Sequence, residues 1–414
     1  MDKATEIWHG EWWLPCNHDE QPFKISGTLT CAEYEKPILE LLLSSNASLF
    51  SCVLLGIQPV IYGADMTGEK YTLFNAWVLK ITASSVTLYA DYFVIGAHLN
   101  SLDDKCILRA TVNFPNLKYW LLYKRLFVEQ TDEETRLVIK NNPPTNTLSV
   151  EVENGLTWNL RSQLYCNPSE YEWHIFQNTD FGIRPSQKIS LNQVLQHAVE
   201  FSQFLSVAML SKQTPSHIFL WTEDIEETHV KLLFKQEPSA SGLYWHRLIQ
   251  HVNLSAKMPS LLKQWHDMYE QIAPICTYLI NSLDSKSNFG APDFLIVAQA
   301  IDGYCKRFIR GDSTSKKRPS YKEKIDKLLK YFEKVDLVKS CNIQPEVLAD
   351  TRNKYSHLAP DSDEWKNAVS NVRELREQTT KAQILLICCL LNGIGLSIDE
   401  INTCFIEANL KNWL

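Results

Sequence analysis

The sequence predicts an α+β chain of two domains, the first mainly β and the second all helix. Residues 1 to about 185 break into short segments rich in β-branched and aromatic residues, with turn formers between them. From about residue 245 onward the apolar residues recur at helical spacing. Between these regions Gln236-Glu-Pro-Ser-Ala-Ser-Gly242 has the composition of a linker. The expected domains are therefore 1–240, which includes a helix over 190–210, and 245–414.

Strands are expected over Phe23–Leu29, Ser51–Ile57, Tyr71–Leu79, Ser85–Ile95, Lys105–Val112, Arg136–Lys140, Thr147–Val152 and Thr157–Tyr165. Asp65-Met-Thr-Gly68 and Asn141-Asn-Pro-Pro144 read as turns. So many short strands suit a sandwich or a barrel, and local pattern does not choose between them. The period then changes: Leu191, Val194, Leu195, Ala198, Phe201, Leu205 and Ala208 form one stripe behind the N-cap candidate Ser190. Two strands, His217–Trp221 and His229–Phe234, return to the first domain. Helices are expected over Leu261–Leu283, Pro292–Phe308, Tyr321–Val335, Pro345–Leu358, Asp363–Asn392 and Ser397–Leu410, in an up-and-down bundle. The fifth is apolar nearly all round from Ala382 to Leu391, as befits the centre of a core or a dimer interface.

The chain has 414 residues and a formal net charge of −7, which argues against a general nucleic-acid coat but not against a local basic site. Eleven cysteines without a Cys-x-x-Cys pair, behind a start that lacks signal-peptide character, suggest reduced thiols in the cytoplasm. No cluster of metal ligands stands out, and no cofactor is implied. The longest apolar run, Ile384–Leu391, is too short to span a bilayer, so no membrane partner is expected. The nucleotide-binding, esterase and zincin signatures are missing. Seven tryptophans, Trp8, Trp12, Trp13, Trp77, Trp120, Trp158 and Trp173, fall in the β region and are expected mostly in its core.

One stretch carries chemistry: Asp350-Thr-Arg352-Asn353-Lys-Tyr-Ser-His357-Leu-Ala-Pro360. Pro345 suits a first helical turn, and Pro360 disfavours helix at Ala359. At about 100° per residue, Leu348, Thr351, Tyr355 and Leu358 form the core face, with Val347 at its edge. Asn353 and His357 share the opposite face with Glu346 and Asp350. Arg352 lies roughly 140° from His357. One helix does not aim both groups at one point, whereas two facing copies would. An arginine that binds phosphate and a histidine that moves a proton are what RNA cleavage needs. On spacing alone, such a pair is more often a solvated polar face. A second charged feature is residues 285–341, with 13 Lys/Arg against 7 Asp/Glu. At its centre Lys316, Lys317 and Arg318 are RNA-binding candidates, although a charge run is more often only a solvated loop.

Arg352-Asn353-x3-His357 resembles the signature of the HEPN ribonuclease superfamily. Phe294-Leu-Ile-Val-Ala-Gln-Ala-Ile-Asp302-Gly-Tyr304 resembles the earlier helix of the Apea-type HEPN domain, with Asp302 where glutamate is expected. Glu6-Ile-Trp-His-Gly-Glu-Trp-Trp-Leu-Pro15 and Ile25-Ser-Gly-Thr-Leu29 resemble the opening of the N-terminal domain of the ApeA family of bacterial anti-phage proteins. The likeness is thin between about residues 110 and 260. It implies an HEPN bundle at the C-terminus, a homodimer formed through it, and a β domain that senses a phage-derived trigger. It also implies a metal-independent endoribonuclease acting in abortive infection: His357 as general base, Arg352 on the phosphate, Asn353 orienting the histidine or the substrate. The substrate would be host RNA, with transfer RNA suggested by analogy with other HEPN toxins. The alternative is a non-catalytic sensor or scaffold whose β domain binds a phage or cell component. Asp302 and Tyr304 read more as structural than as catalytic.

Overall fold

The computed structural model describes residues 5–16, 21–32, 35–43, 56–121, 126–130, 135–139, 146–168, 173–223, 230–234, 247–251, 253–284, 290–309, 319–358 and 365–410. The chain divides into two compact units. One comprises Met1–Lys118, Tyr123–Val199 and Thr214–Pro238; the other comprises Tyr119–Leu122, Glu200–Gln213 and Ser239–Leu414.

The first unit is an antiparallel sheet. Its strands are β1 (Thr5–Trp13), β2 (Ile25–Ala32), β3 (Ile38–Leu42), β4 (Ile57–Asp65), β5 (Lys70–Ile81), β6 (Ser85–Tyr89), β7 (Tyr92–Ile95), β8 (Ile107–Asn113), β9 (Leu126–Gln130), β10 (Thr135–Ile139), β11 (Asn146–Glu153), β12 (Leu156–Pro168), β13 (Trp173–Pro185), β14 (His217–Thr222) and β15 (Val230–Phe234). The order β5-β4-β1-β2-β3-β6 closes on itself, because β6 also pairs with β5. That ring is a six-stranded barrel filled by Trp12, Leu29, Leu41, Ile61, Tyr71 and Leu88. Between sandwich and barrel, closure decides for the barrel. The remaining main-sheet strands run on from β5 in the order β7-β15-β14-β8-β13-β12-β11, while β9 and β10 form a separate pair.

Asn75 lets β5 serve both assemblies. Tyr71–Phe74 pair with β7 and Trp77–Ile81 with β6, and Asn75 between them takes a left-handed φ of 53°. Its neighbour across β4 is Pro59, which has no N–H to give, so the ladder is interrupted where the strand changes partners. The expected turn at Asp65–Gly68 forms. The Asp65 carboxylate accepts the Thr67 and Glu69 N–H groups at 2.8 and 3.0 Å, and Gly68 takes φ 85°.

Several expectations need correction. Ser85–Ile95 is two strands, broken at Ala90 and Asp91. Strands β1, β3, β9 and β13 and most of β4 were not expected. Of the expected strand Ser51–Ile57, residues 51–55 lie outside the described residues, as do Asn141–Pro144. Of the tryptophans, Trp12, Trp120 and Trp158 are buried, Trp77 is 40% exposed, and the side chain of Trp173 lies outside the described residues.

The second unit is helical. The division between units falls within α1 (Leu117–Leu121) and α2 (Leu191–Met209); α3 (Met258–Asp284), α4 (Ala291–Phe308), α5 (Tyr321–Tyr331), α6 (Asp336–Ser340), α7 (Pro345–Ser356), α8 (Val372–Gly393) and α9 (Ile398–Glu407) lie wholly in the second. Every residue of α8 from Lys381 to Leu391 is buried, so this segment is core within a single chain. It packs on α4, which in turn packs on α3 and α7. The expected helix Tyr321–Val335 stops at Tyr331, and a separate short helix, α6, follows. No helix among the described residues is long and apolar enough to cross a membrane. Nine described cysteines are free thiols, and six of them are buried.

Candidate active site

Helix α7 carries the charged motif. Pro345 opens it, as expected. Leu348 and Thr351 are fully buried and Tyr355 is half-buried, so the predicted core face is real at those positions. It does not extend to Leu358. The helix ends at Ser356, His357 caps it by donating its N–H to the Asn353 carbonyl at 3.0 Å, and Leu358 turns outward with φ 48° and 88% exposure. The stop comes two residues early because the chain has already left the helical region before Pro360.

The three motif residues have separate surroundings. Arg352 donates from Nη1 to Asn353 Oδ1 at 3.1 Å, and its guanidinium carbon lies 5.9 Å from the centroid of the Tyr321 ring. Its Nε is buried and makes no hydrogen bond among the described residues. Asn353 thus spends its side chain on Arg352 and its carbonyl on the cap. His357 is exposed, and its ring lies parallel to Trp365 (6.1 Å between centroids, 12° between planes). Among the described residues, the contacts of Arg352 and of His357 within one chain do not meet.

Trp365 belongs to a non-helical strap, residues 365–371, where the sequence predicted the start of a helix from Asp363. The side chains of α7 hold the strap. Asp350 accepts from the Asn367 side chain at 2.9 Å, Thr351 Oγ1 accepts the Val369 N–H at 3.1 Å, Tyr355 donates to the Val369 carbonyl at 3.2 Å, and Lys354 donates to Ser370 at 2.7 Å. Side chains meet the polar groups that a helical turn would have met, and the helix proper starts behind the N-cap Asn371.

Tyr321 is the first residue of α5. Ser320 and Glu323 close a capping box around the helix start, and Lys322 pairs with Glu346 of α7 at 2.6 Å. Burial pushes the Tyr321 phenol well above its ordinary range. Asp302 bridges α4 and α5 through Lys324 at 2.5 Å and takes Lys306 at 2.6 Å. Burial would raise its carboxyl, but the two lysines prevail and hold it below the usual range. Tyr304 is buried against Phe308, and burial raises its phenol as well. Asp302 thus ties α4 to α5, and the Tyr304 hydroxyl lies beside Gly393 at the end of α8. Lys316, Lys317 and Arg318 lie outside the described residues. Sequence reading missed Tyr321 and Trp365 as neighbours of the motif; only the Ser320-x-x-Glu323 capping box gave any signal for the first.

In the β unit, a cavity of about 530 Å³ opens beside Asn75, with Phe74, Asn100, Asp103 and Asn192 in its wall.

Two family models match the chain. The ApeA N-terminal domain 1 model covers residues 7–265 and the Apea-like HEPN model covers residues 280–400. The chain belongs to the ApeA family. It is an ApeA-type anti-phage protein with a C-terminal HEPN domain. No curated protein matches the chain. The Apea-like HEPN match contains both the α7 motif and the Asp302–Tyr304 segment, and the ApeA N-terminal match contains the barrel except for the first two residues of β1. HEPN domains are generally ribonucleases, and they commonly dimerise and bind RNA.

Proposed function

We propose that this ApeA-family protein is a metal-independent endoribonuclease that cuts host RNA after phage sensing and so acts by abortive infection. The observation that carries the reading is the intact Arg352-Asn353-x3-His357 set at the end of α7, with the histidine exposed and the arginine held by an amide and an aromatic face. His357 takes the proton from a ribose 2′-OH, and the 2′-oxygen attacks the adjacent phosphorus. The P–O5′ bond breaks, and the leaving 5′-oxygen takes up a proton returned by an imidazolium. The products are a 2′,3′-cyclic phosphate and a 5′-hydroxyl. Arg352 stabilises the phosphorane-like charge through its remaining N–H donors. Arg352 and His357 of one chain face different neighbours, which favours a homodimer in which two motifs share one cleft. Transfer RNA is the proposed substrate, the β unit the proposed phage sensor, and the cytoplasm the proposed location.

The test is cleavage of total RNA and transfer RNA in EDTA by the full chain, with and without lysate of phage-infected cells. Arg352→Ala and His357→Ala run alongside. The expected result is cleavage by wild type that leaves cyclic-phosphate ends, with a loss of about 100- to 10,000-fold for His357→Ala in a folded protein. Cleavage that survives both substitutions would place the chemistry elsewhere. A wild type silent under every condition would favour the scaffold reading.

A further inference from the structure

We infer that Tyr321 is the positioning residue of this site: its ring fixes the Arg352 guanidinium for phosphate without occupying the N–H groups that bind it. The inference rests on the ribonuclease reading for its functional half and on geometry alone for its structural half.

Arginines in folded proteins are usually held by carboxylates, which accept their N–H groups and cancel their charge. Arg352 is held differently. Its one hydrogen bond among the described residues is from Nη1 to a neutral acceptor, Asn353 Oδ1, at 3.1 Å. Its other described neighbour is the ring of Tyr321, 5.9 Å away, within the range of a cation–π contact. A ring face attracts the cation and limits its rotamers but accepts no N–H bond in the plane of the guanidinium. Among the described residues, most of the five donors of Arg352 therefore stay uncommitted, and no carboxylate is paired with its charge. Those are the properties a phosphate-binding arginine needs before substrate arrives.

The ring is itself fixed. Tyr321 is 8% exposed, and its backbone is set by the Ser320 capping box. The neighbouring Lys322–Glu346 pair, at 2.6 Å, ties the start of α5 to the start of α7. The Tyr321 hydroxyl is buried and makes no hydrogen bond among the described residues. The phenol oxygen is therefore not what holds the residue in place, and the aromatic face is the part that acts. The Nε of Arg352 is likewise buried without an acceptor among the described residues. The basic run that ends at Arg318 precedes α5 in sequence, so Tyr321 stands three residues after the last of the candidate RNA-binding residues Lys316, Lys317 and Arg318.

The experiment uses full-length protein as wild type, Tyr321→Phe, Tyr321→Leu and Arg352→Lys. The first readout is the ¹⁵N-labelled arginine Nε–H resonance of Arg352, assigned by its loss in Arg352→Lys. Wild type and Tyr321→Phe should show it slow to exchange with solvent, and Tyr321→Leu should show exchange at least tenfold faster. The second readout is RNA cleavage. Tyr321→Phe should retain most activity, Tyr321→Leu should lose about 10- to 100-fold in kcat with KM changed less than threefold, and the Tyr321→Leu loss should vanish in the Arg352→Lys background. An Nε–H resonance unaltered in Tyr321→Leu overturns the positioning role whatever the cleavage result. An altered resonance beside undiminished cleavage overturns its part in catalysis. If wild type cuts no RNA, the exchange measurement alone decides whether Tyr321 fixes Arg352, and the loss falls on the ribonuclease reading instead. Equal unfolding temperatures of Tyr321→Phe and wild type serve as the folding control.

Discussion

Thr351→Val probes the strap that carries Trp365 to His357. Thr351 is fully buried, and its Oγ1 accepts the Val369 N–H at 3.1 Å. Valine keeps the shape of the side chain and removes only the acceptor. The Val369 N–H then loses its partner in a half-buried place, which costs about 1–2 kcal/mol. The remaining bonds from Asp350, Lys354 and Tyr355 hold the strap to α7, so the cost falls on local opening and not on the whole unit. An opening equilibrium shifted by that amount rises about 5- to 30-fold. Native-state hydrogen exchange reads it directly. The Val369 amide should exchange faster by that factor, while amides in the buried part of α8, such as Leu385, should keep their wild-type rates. Unchanged protection at Val369 would refute the account of how the strap is held. Equal acceleration at Val369 and Leu385 would show that the strap is no separate unit but opens only with the core.

Asp180 faces Arg161 across the β12–β13 ladder, and burial pushes its carboxyl up to about 6 despite the arginine. An unfolded aspartate titrates near 4, so the folded chain binds this proton more tightly. The contribution is full below about pH 4 and is lost as pH rises through about 6. Urea titrations should therefore show Asp180→Asn gaining about 2 kcal/mol on wild type between pH 4.5 and 7; a constant difference would reject the raised carboxyl. Gly63 pairs with Trp12 across β1 and β4, and a Cβ there would run into the Trp12 ring. Gly63→Ala should destabilise the barrel by about 1–3 kcal/mol in thermal denaturation, and a neutral effect would mean that the ring can move. Leu358, left-handed and exposed, should be better served by glycine. Leu358→Gly should leave the unfolding midpoint equal or slightly higher, with a gain under about 1 kcal/mol, and a clear loss would show that the leucine packs against something.

What was legible in the sequence was what local chemistry dictates. The 3.6-residue stripe of α2, the apolar run of α8 and the proline opening of α7 are local, and they were read correctly. Barrel closure was not legible, because it depends on a β5–β6 pairing beside the β5–β7 pairing, with a left-handed asparagine between them. Nothing in the alternation of residues 70–81 announces two partners. The start of α8 was misplaced because residues 365–371 find their hydrogen bonds on α7, which is a tertiary choice. In the site, the residue types and their spacing could be read from the motif. The aromatic faces of Tyr321 and Trp365 come from other segments, and no local rule brings them to Arg352 and His357.

The sheet order bears on how the chain is made. All six strands of the closed ring lie between residues 5 and 89, so the ring can seal while the ribosome is still making the rest. β7 and β8 follow early but do not pair with each other. The hairpin β14–β15, synthesised over a hundred residues later, occupies the place between them. Until then both strands present an open edge with unpaired amides and carbonyls. Folding of this unit therefore ends with a late insertion across a long sequence separation, the kind of step that is slow. A nascent chain halted before residue 217 would hold a finished barrel and an unfinished sheet, and such a chain would seek strands from its neighbours.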